Sequence, residues 1–157
     1  MHYYAITIQW TGNKGTGTSN YRAYDRQYTI IKRNATEIFG SSDPVFRGDI
    51  TKYNPEDLLV ASLSSCHLLW YLHVCAEAGV IVLDYTDNAT GTMIETPEGG
   101  GRFTEVTLHP IVKVADEGMI EKATVLHQKA NALCFIANSV NFPVHHKVKT
   151  VAMSREL

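Results

Sequence analysis

The sequence predicts an α+β fold, and three observations carry that reading. A long apolar segment in the middle of the chain has helical length and a glycine stop. A later segment repeats apolar residues at spacings of three and four. The other apolar runs are short, bounded by turn residues and strand-like. Their order is strands, helix, two strands, helix, strand, which is neither an alternating βαβ series nor all-β. No internal repeat, low-complexity tract or linker divides the 157 residues, so residues 1–157 read as a single domain.

Tyr3 to Trp10 reads as a strand with Tyr4, Ile6, Ile8 and Trp10 on one face. Thr11 to Ser19 is a glycine-rich turn, Tyr21 to Ile31 forms a second strand, and Ala35 to Gly48 is loop-like, leaving a third early strand open. Asn54-Pro55-Glu56-Asp57 is a helix start: asparagine caps, proline suits the first helical position, and two acids meet the positive end of the dipole. That helix is expected to reach Ala78, stop at Gly79 and, being apolar on nearly all sides, lie buried and central. Val80 to Thr96 and Phe103 to Val114 read as two strands about the turn at 97–101. A second helix is expected from Gly118 to about Asn138, with Met119, Ala123, Leu126, Ala130, Leu133 and Ala137 on one face. Phe142 to Met153 supplies a last strand.

Composition narrows the class of function. Fourteen Lys and Arg against sixteen Asp and Glu give a formal charge of −2, and the basic residues are scattered, which argues against nucleic acid and anionic membranes as partners. The apolar stretch from Leu58 to Val74 is interrupted by Ser62, Ser64, Ser65, His67 and His73, each costly in lipid, so it reads as a core helix. Met1 to Trp10 lacks the charged and apolar blocks of an export signal, and a cytoplasmic location is expected. In a reducing compartment Cys66, Cys75 and Cys134 suit redox chemistry better than structural staples. Gly12 to Gly17 lacks the ending of a phosphate-binding loop. His145 and His146, adjacent on a strand, point to opposite faces and make a poor metal pair, so no metal is expected.

Helix geometry limits the cysteine pairings. Cys66 and Cys75 lie nine residues apart on one helix, on opposite sides and about 13 Å apart along the axis, too far to bridge. Cys66–Cys134 and Cys75–Cys134 remain. A nucleophilic cysteine must ionise below its free pKa of about 8.5. The middle of a helix gives little dipole help, so a cation is required: Arg22, Arg26, Arg33, Arg47, Arg102, or the adjacent His67.

Asn54-Pro55-Glu56-Asp57-Leu58-Leu59 followed by Ala61-Ser62-Leu63-Ser64-Ser65-Cys66-His67 resembles the signature of the OsmC/Ohr family of organic hydroperoxide reductases. Ala132-Leu133-Cys134-Phe135-Ile136-Ala137-Asn138-Ser139 is similar to the segment holding that family's second redox cysteine, and Trp10-Thr11-Gly12 to the family's opening. The resemblance implies an intertwined homodimer with antiparallel sheets wrapped around two central helices and active sites at the subunit interface. It implies that Cys66 attacks an organic hydroperoxide and becomes a sulfenic acid, which Cys134 resolves as a disulfide. It implies an Arg–Glu pair that lowers the pKa of the first thiol, with Glu56 as the glutamate and Arg47 as the arginine, Arg26 being second choice. No cofactor is implied, and an external dithiol or lipoylated protein serves as reductant. Glu56 stands about 15 Å from Cys66 along a straight helix, so either the helix breaks or Glu56 serves the partner's site. An aromatic pocket of Phe46, Trp70 and Phe135 would favour alkyl peroxides over hydrogen peroxide. Two departures are visible: Phe135 stands where the family has a proline after the second cysteine, and His67 replaces an apolar residue. They keep two rival readings in view, a redox sensor with little turnover and a small-ligand-binding protein.

Overall fold

Three short strands, β1 (Thr7–Trp10), β2 (Tyr28–Ile31) and β3 (Ile38–Gly40), form an antiparallel meander in the order β1-β2-β3. The computed structural model describes residues 1–153, and these gather into two compact units, Met1–Leu59 and one beginning at Val60. β1 and β2 are each shorter than the sequence suggests. Residues 21–26 leave the expected second strand because the Arg26 guanidinium donates to the carbonyls of Tyr21 and Tyr24, both at 2.7 Å, and gathers that segment into turns. β3 lies inside the expected loop, and Gly40 is required there: a Cβ would meet the Tyr28 ring at 2.3 Å.

Helix α1 runs unbroken from Pro55 to Glu77. Its start is a reciprocal cap in which the Asp57 amide donates to Asn54 Oδ1 (2.7 Å) and the Asn54 amide to Asp57 Oδ2 (3.2 Å). Gly79, at φ +72°, reverses the chain as expected, and the Val80 amide closes the end on the Cys75 carbonyl at 2.9 Å. The expectation of burial on nearly all sides fails. Only the stripe Leu63, His67, Tyr71, Val74 and Cys75 is buried, while Leu69 is 67% exposed. Within the second unit, the sheets and the later helix pack against that stripe, while Leu69 on the opposite face stays exposed. By length and hydropathy α1 also has the character of a membrane span, but its buried stripe is engaged in packing.

The later strands correct the sequence reading most. Each expected long strand breaks in the middle and passes from one sheet to another. Residues 80–96 give β4 (Val82–Asp87) and β5 (Thr90–Glu95); residues 101–114 give β6 (Gly101–Leu108) and β7 (Pro110–Val114). Helix α2 (Ile120–Leu133) follows a short 3-10 turn, and the last segment splits into β8 (Val144–His146) and β9 (Lys149–Ala152). The sheets are ordered β4-β7-β9 and β5-β6-β8. Both are mixed rather than purely antiparallel, since β7–β9 and β6–β8 pair in parallel. The break at residue 109 has a local cause. Pro110 has no amide to continue a ladder, and the preceding His109 amide donates instead to Asp87 Oδ1 at 2.6 Å. Asp87 Oδ2 takes the Ser64 hydroxyl at 2.5 Å, which ties the break to α1.

Two apolar clusters pack in the second unit. One joins Tyr71, Val74 and Cys75 of α1 with Val112, Val114, Ala123 and Ala130; the other joins Leu63 with Val106 and Leu108. Between them lies a polar stack. His67 Nε2 and His127 Nδ1 share a hydrogen bond of 2.9 Å, Tyr71 stacks on His127 at 3.8 Å between centroids, and His146 meets His67 at 4.4 Å. His67 and His127 are 1% and 3% exposed. Burial, then the neighbouring imidazoles, pushes His67 down to about 3 and His127 down to about 4. Burial lowers His146 as well, opposed by the charge of Asp87.

These imidazoles are neutral in the fold and titrate near 6.5 once unfolded, so only the unfolded chain gains protons as pH drops below 6.5. Stability is therefore full above pH 6.5 and lost on acidification through the folded values. For His67 and His127 the loss is roughly 2 kcal/mol each by pH 5. Thermal melts are expected to be level from pH 8 to 7 and to fall by several degrees at pH 5. His127→Asn, which removes one titrating ring, should flatten that acid limb; an unchanged limb would refute the assignment.

Candidate functional site

In the second unit two of the sequence-predicted residues meet. Cys66 sits mid-way along α1, half-buried, and its thiol lies within hydrogen-bonding reach of Cys134, which is buried. Of the two pairings helix geometry left open, the fold brings together Cys66 and Cys134. Cys75 is buried in the core beside Tyr71, where desolvation raises its pKa. All three cysteines are free thiols.

Cys134 reaches Cys66 because α2 is shorter than its apolar periodicity suggests. The helix stops at Leu133, and Cys134 takes extended dihedrals (φ −68°, ψ 111°) as its C-cap. Local bonds replace the lost helical ones. Asn138 Nδ2 donates to the Ala132 carbonyl at 3.0 Å, the Asn138 amide to the Cys134 carbonyl at 3.0 Å, and the Ser139 hydroxyl to the Phe135 carbonyl at 2.7 Å. The Ala137 amide points at Cys134 Sγ from 3.4 Å, joined by that of Ile136. Burial above all, then the hydrogen bond to Cys66, pushes the Cys134 thiol up to about 11, while the two amides favour its thiolate.

Cys66 opens on an apolar groove of about 380 Å³ lined also by Ser62, Ser65, Leu69, Trp70, Phe135 and Ile136, with Cys134 buried behind it. Ser62 and Ser65 are small and leave room for a reactant beside Cys66. Trp70 and Phe135 meet edge to face at 5.5 Å, so two of the three expected aromatic lining residues are here. The third, Phe46, belongs to the first unit, in the 3-10 turn Pro44–Phe46. His67 points into the core and is held neutral, so it is not the cation that a thiolate at Cys66 requires.

The first unit holds both candidate arginines and Glu56. Arg26 and Arg47 line a polar cleft with Asp25, Gln27, Ser41, Gly48 and Asp49. Arg26 is spent on its own loop: besides its two carbonyl bonds, its guanidinium lies 4.3 Å and 4.2 Å from the Tyr21 and Tyr24 ring centroids. Arg47 is exposed, and its guanidinium makes no hydrogen bond or ion pair among the described residues. It reaches only the Tyr21 ring, at 6.0 Å. Its backbone is left-handed (φ 65°), unusual for arginine, in a tight loop where the Asp43 carboxylate caps Val45 and a Cβ on Gly48 would meet the Ser42 carbonyl at 1.5 Å. Asp49 in the same cleft is lowered to about 2, first by the Thr51 hydroxyl and amide and then by Lys52. Glu56 is half-buried in the first turn of α1, and the helix cap uses Asp57, leaving Glu56 free of that task. Since α1 is continuous, a break between Glu56 and Cys66 is excluded and about 15 Å of helix separates them.

Comparison with known proteins gives a consistent placement. The family model described as OsmC-like protein matches residues 47–149. No curated protein matches the sequence. Among solved structures, an OsmC-like protein of unknown function from Vibrio cholerae is 28% identical, with a TM-score of 0.85 over 94% of this chain and 99% of that one. An organic hydroperoxide resistance protein from Elizabethkingia anophelis, 22% identical, has the same fold with a TM-score of 0.67 over 97% and 99% of the two chains. One from Legionella pneumophila, 18% identical, gives 0.67 over 96% and 98%. The mixed α+β fold, the helix-start and cysteine motifs and the family match agree, and the chain belongs to the OsmC-like family.

Proposed function

We propose that this protein reduces organic hydroperoxides to alcohols with Cys66 as nucleophile and Cys134 as resolving thiol. The observation that carries the reading is the contact of Cys134 with Cys66, the thiol that lines an apolar groove. The Cys66 thiolate attacks the terminal peroxide oxygen, the O–O bond breaks, and the alkoxide leaves as alcohol after taking a proton. Cys66, now a sulfenic acid, condenses with the Cys134 thiol: the S–S bond forms and water carries off the hydroxyl and the thiol proton. An external dithiol or lipoylated protein then reduces the disulfide. Trp70, Phe135 and Leu69 favour a peroxide with an apolar body, because burying that body supplies binding energy that hydrogen peroxide lacks. No cofactor enters the cycle, and its reduced resting state suits a cytoplasmic setting.

In this reading Arg47 supplies the positive charge and Glu56 orients it, acting at the site of a second copy of the chain. Arg47 is the better candidate because its guanidinium is uncommitted, whereas that of Arg26 is bound to its own loop. A homodimer is further supported by apolar surface: Tyr4, Ile6 and Ile8 on and beside β1 are 83%, 62% and 55% exposed, the kind of patch that marks an interface. The redox-sensor alternative has one observation in its favour. Burial pushes the Cys134 thiol up to about 11, so it is almost entirely protonated at pH 7, which slows resolution.

One equivalent of cumene hydroperoxide should lower the free-thiol count of the wild type from three to one. Cys134→Ser should accumulate a trappable sulfenic acid, and Cys66→Ser should not react. Three intact thiols in the treated wild type would end the peroxidase reading, and a single oxidation without multiple turnover would leave the sensor. Arg47→Gly gives a separate test. It relieves the left-handed backbone, so the melting temperature should not fall, yet kcat/KM should drop by about a hundredfold or more. An active glycine variant would remove Arg47 from the mechanism.

A further inference from the structure

The His67–His127 bond lies outside the chemistry above, yet it stands beside the redox pair. Three hydrogen bonds between α1 or its end and α2 run in antiparallel sequence. Lys122 Nζ donates to the Ala78 carbonyl at 2.6 Å, the Tyr71 hydroxyl to the Ala123 carbonyl at 3.0 Å, and His67 bonds His127 at 2.9 Å. The next pair along the same line is Cys66 with Cys134. His67 directly follows Cys66 in α1, and His127 precedes Cys134 by seven residues, about 10 Å of helix. From residue 127 to its end, α2 also meets α1 through the ion pair of Lys129 Nζ with Glu77 at 3.8 Å, but both of those side chains are more than half exposed, so that pair holds register only weakly.

The bond is also a costly one to keep. His67 Nδ1, His127 Nε2 and His146 Nε2 are buried and without a hydrogen-bond partner among the described residues. An apolar pair of the same size would avoid that cost. The three imidazoles do not form a metal site: among the described residues no three His, Cys, Asp or Glu side chains are arranged to hold an ion. What the bond offers in return is direction. Apolar contacts tolerate sliding of one helix along another, whereas a hydrogen bond between two rings sets one register. Disulfide formation is sensitive to register, because the Cα atoms must come within about 4.4–6.8 Å and the sulfurs to about 2.05 Å.

We propose that His67 and His127 are positioning residues for disulfide closure: their hydrogen bond sets the register of α1 against the end of α2, so that the Cys134 sulfur meets Cys66. The role rests on the Cys66–Cys134 pairing proposed above, but not on peroxide as the oxidant. Oxidation of Cys66 to the sulfenic acid needs only Cys66 and its activators. Its condensation with Cys134, which releases water, needs the register.

The two steps separate in rapid-mixing experiments. His67→Met and His127→Met remove the bond at similar bulk, and His67→Gln can keep it through its amide. Sulfenic acid formation with cumene hydroperoxide should stay within about twofold of wild type in all variants, while disulfide closure slows about tenfold or more in both methionine variants. His67→Gln should close near the wild-type rate. The double methionine variant should be no slower than either single one, because one bond is lost in each. Closure driven by diamide, which needs no peroxide chemistry, should show the same ranking, so a failure of the peroxidase reading stays distinguishable. Wild-type closure rates in the methionine variants, or a glutamine variant as slow as methionine, would overturn the proposal. Should one methionine variant fail to fold, the other carries the test.

Discussion

The early end of α2 is the constraint on which the candidate site depends. Had the helix run on to Asn138, Cys134 would have had helical dihedrals and a helical direction for its side chain. Instead Cys134 is extended, Asn138 takes up a carbonyl left over at the helix end, and the amides of Ile136 and Ala137 turn back onto the sulfur. No glycine or proline forces this stop. It is made by side-chain and amide bonds that compete with one more helical turn, and the thiol is then buried against Cys66. The same burial that brings the sulfurs together raises the Cys134 pKa. Proximity and reactivity therefore pull against each other at the resolving cysteine.

The core that supports this site is unusual in being partly aromatic and polar. Leu63, Tyr71, Val74 and Cys75 give α1 its packing, but His67 interrupts that stripe and α2 answers with His127 between Ala123 and Ala130. Parallel rings, at 10° for His67–His127 and 12° for Tyr71–His127, fill the space much as leucine and phenylalanine do elsewhere. The cost is acid sensitivity, since a protonated imidazole in such a place has lost its water without gaining an anion. Asp87 is the acid facing this cluster, and its oxygens are already taken by Ser64 and the His109 amide. One carboxylate thus closes a gap in the sheet and leaves the histidines to their burial.

Surface exposure gives a complementary view. The first unit shows Tyr4, Ile6 and Ile8 to solvent, and the second shows Leu69 and Phe135 beside the groove. Scattered apolar residues are ordinary on protein surfaces, but runs on one strand or one helix face are not.

The sequence by itself determined the helix start and stop of α1, the class of fold and, through the Glu56 and Cys66 motif, the family. Each rests on local chemistry: a cap, a proline, a left-handed glycine and a fixed spacing. Strand lengths were not legible, because the breaks at residues 88–89, 109 and 147–148 depend on which sheet each half joins, and only the Pro110 break leaves a local mark. The stop of α2 was equally hidden, since its apolar periodicity continues to Ala137 while the bonds that end it come from Asn138 and Ser139. Bringing Cys134 to Cys66, the pairing that the family resemblance implied and helix geometry left open, was a matter of tertiary packing. So was the role of His67, which next to a cysteine in sequence looks like an activating cation. Its ring points the other way, into the core, because helical neighbours diverge by about 100° and burial, not sequence adjacency, sets the charge of an imidazole.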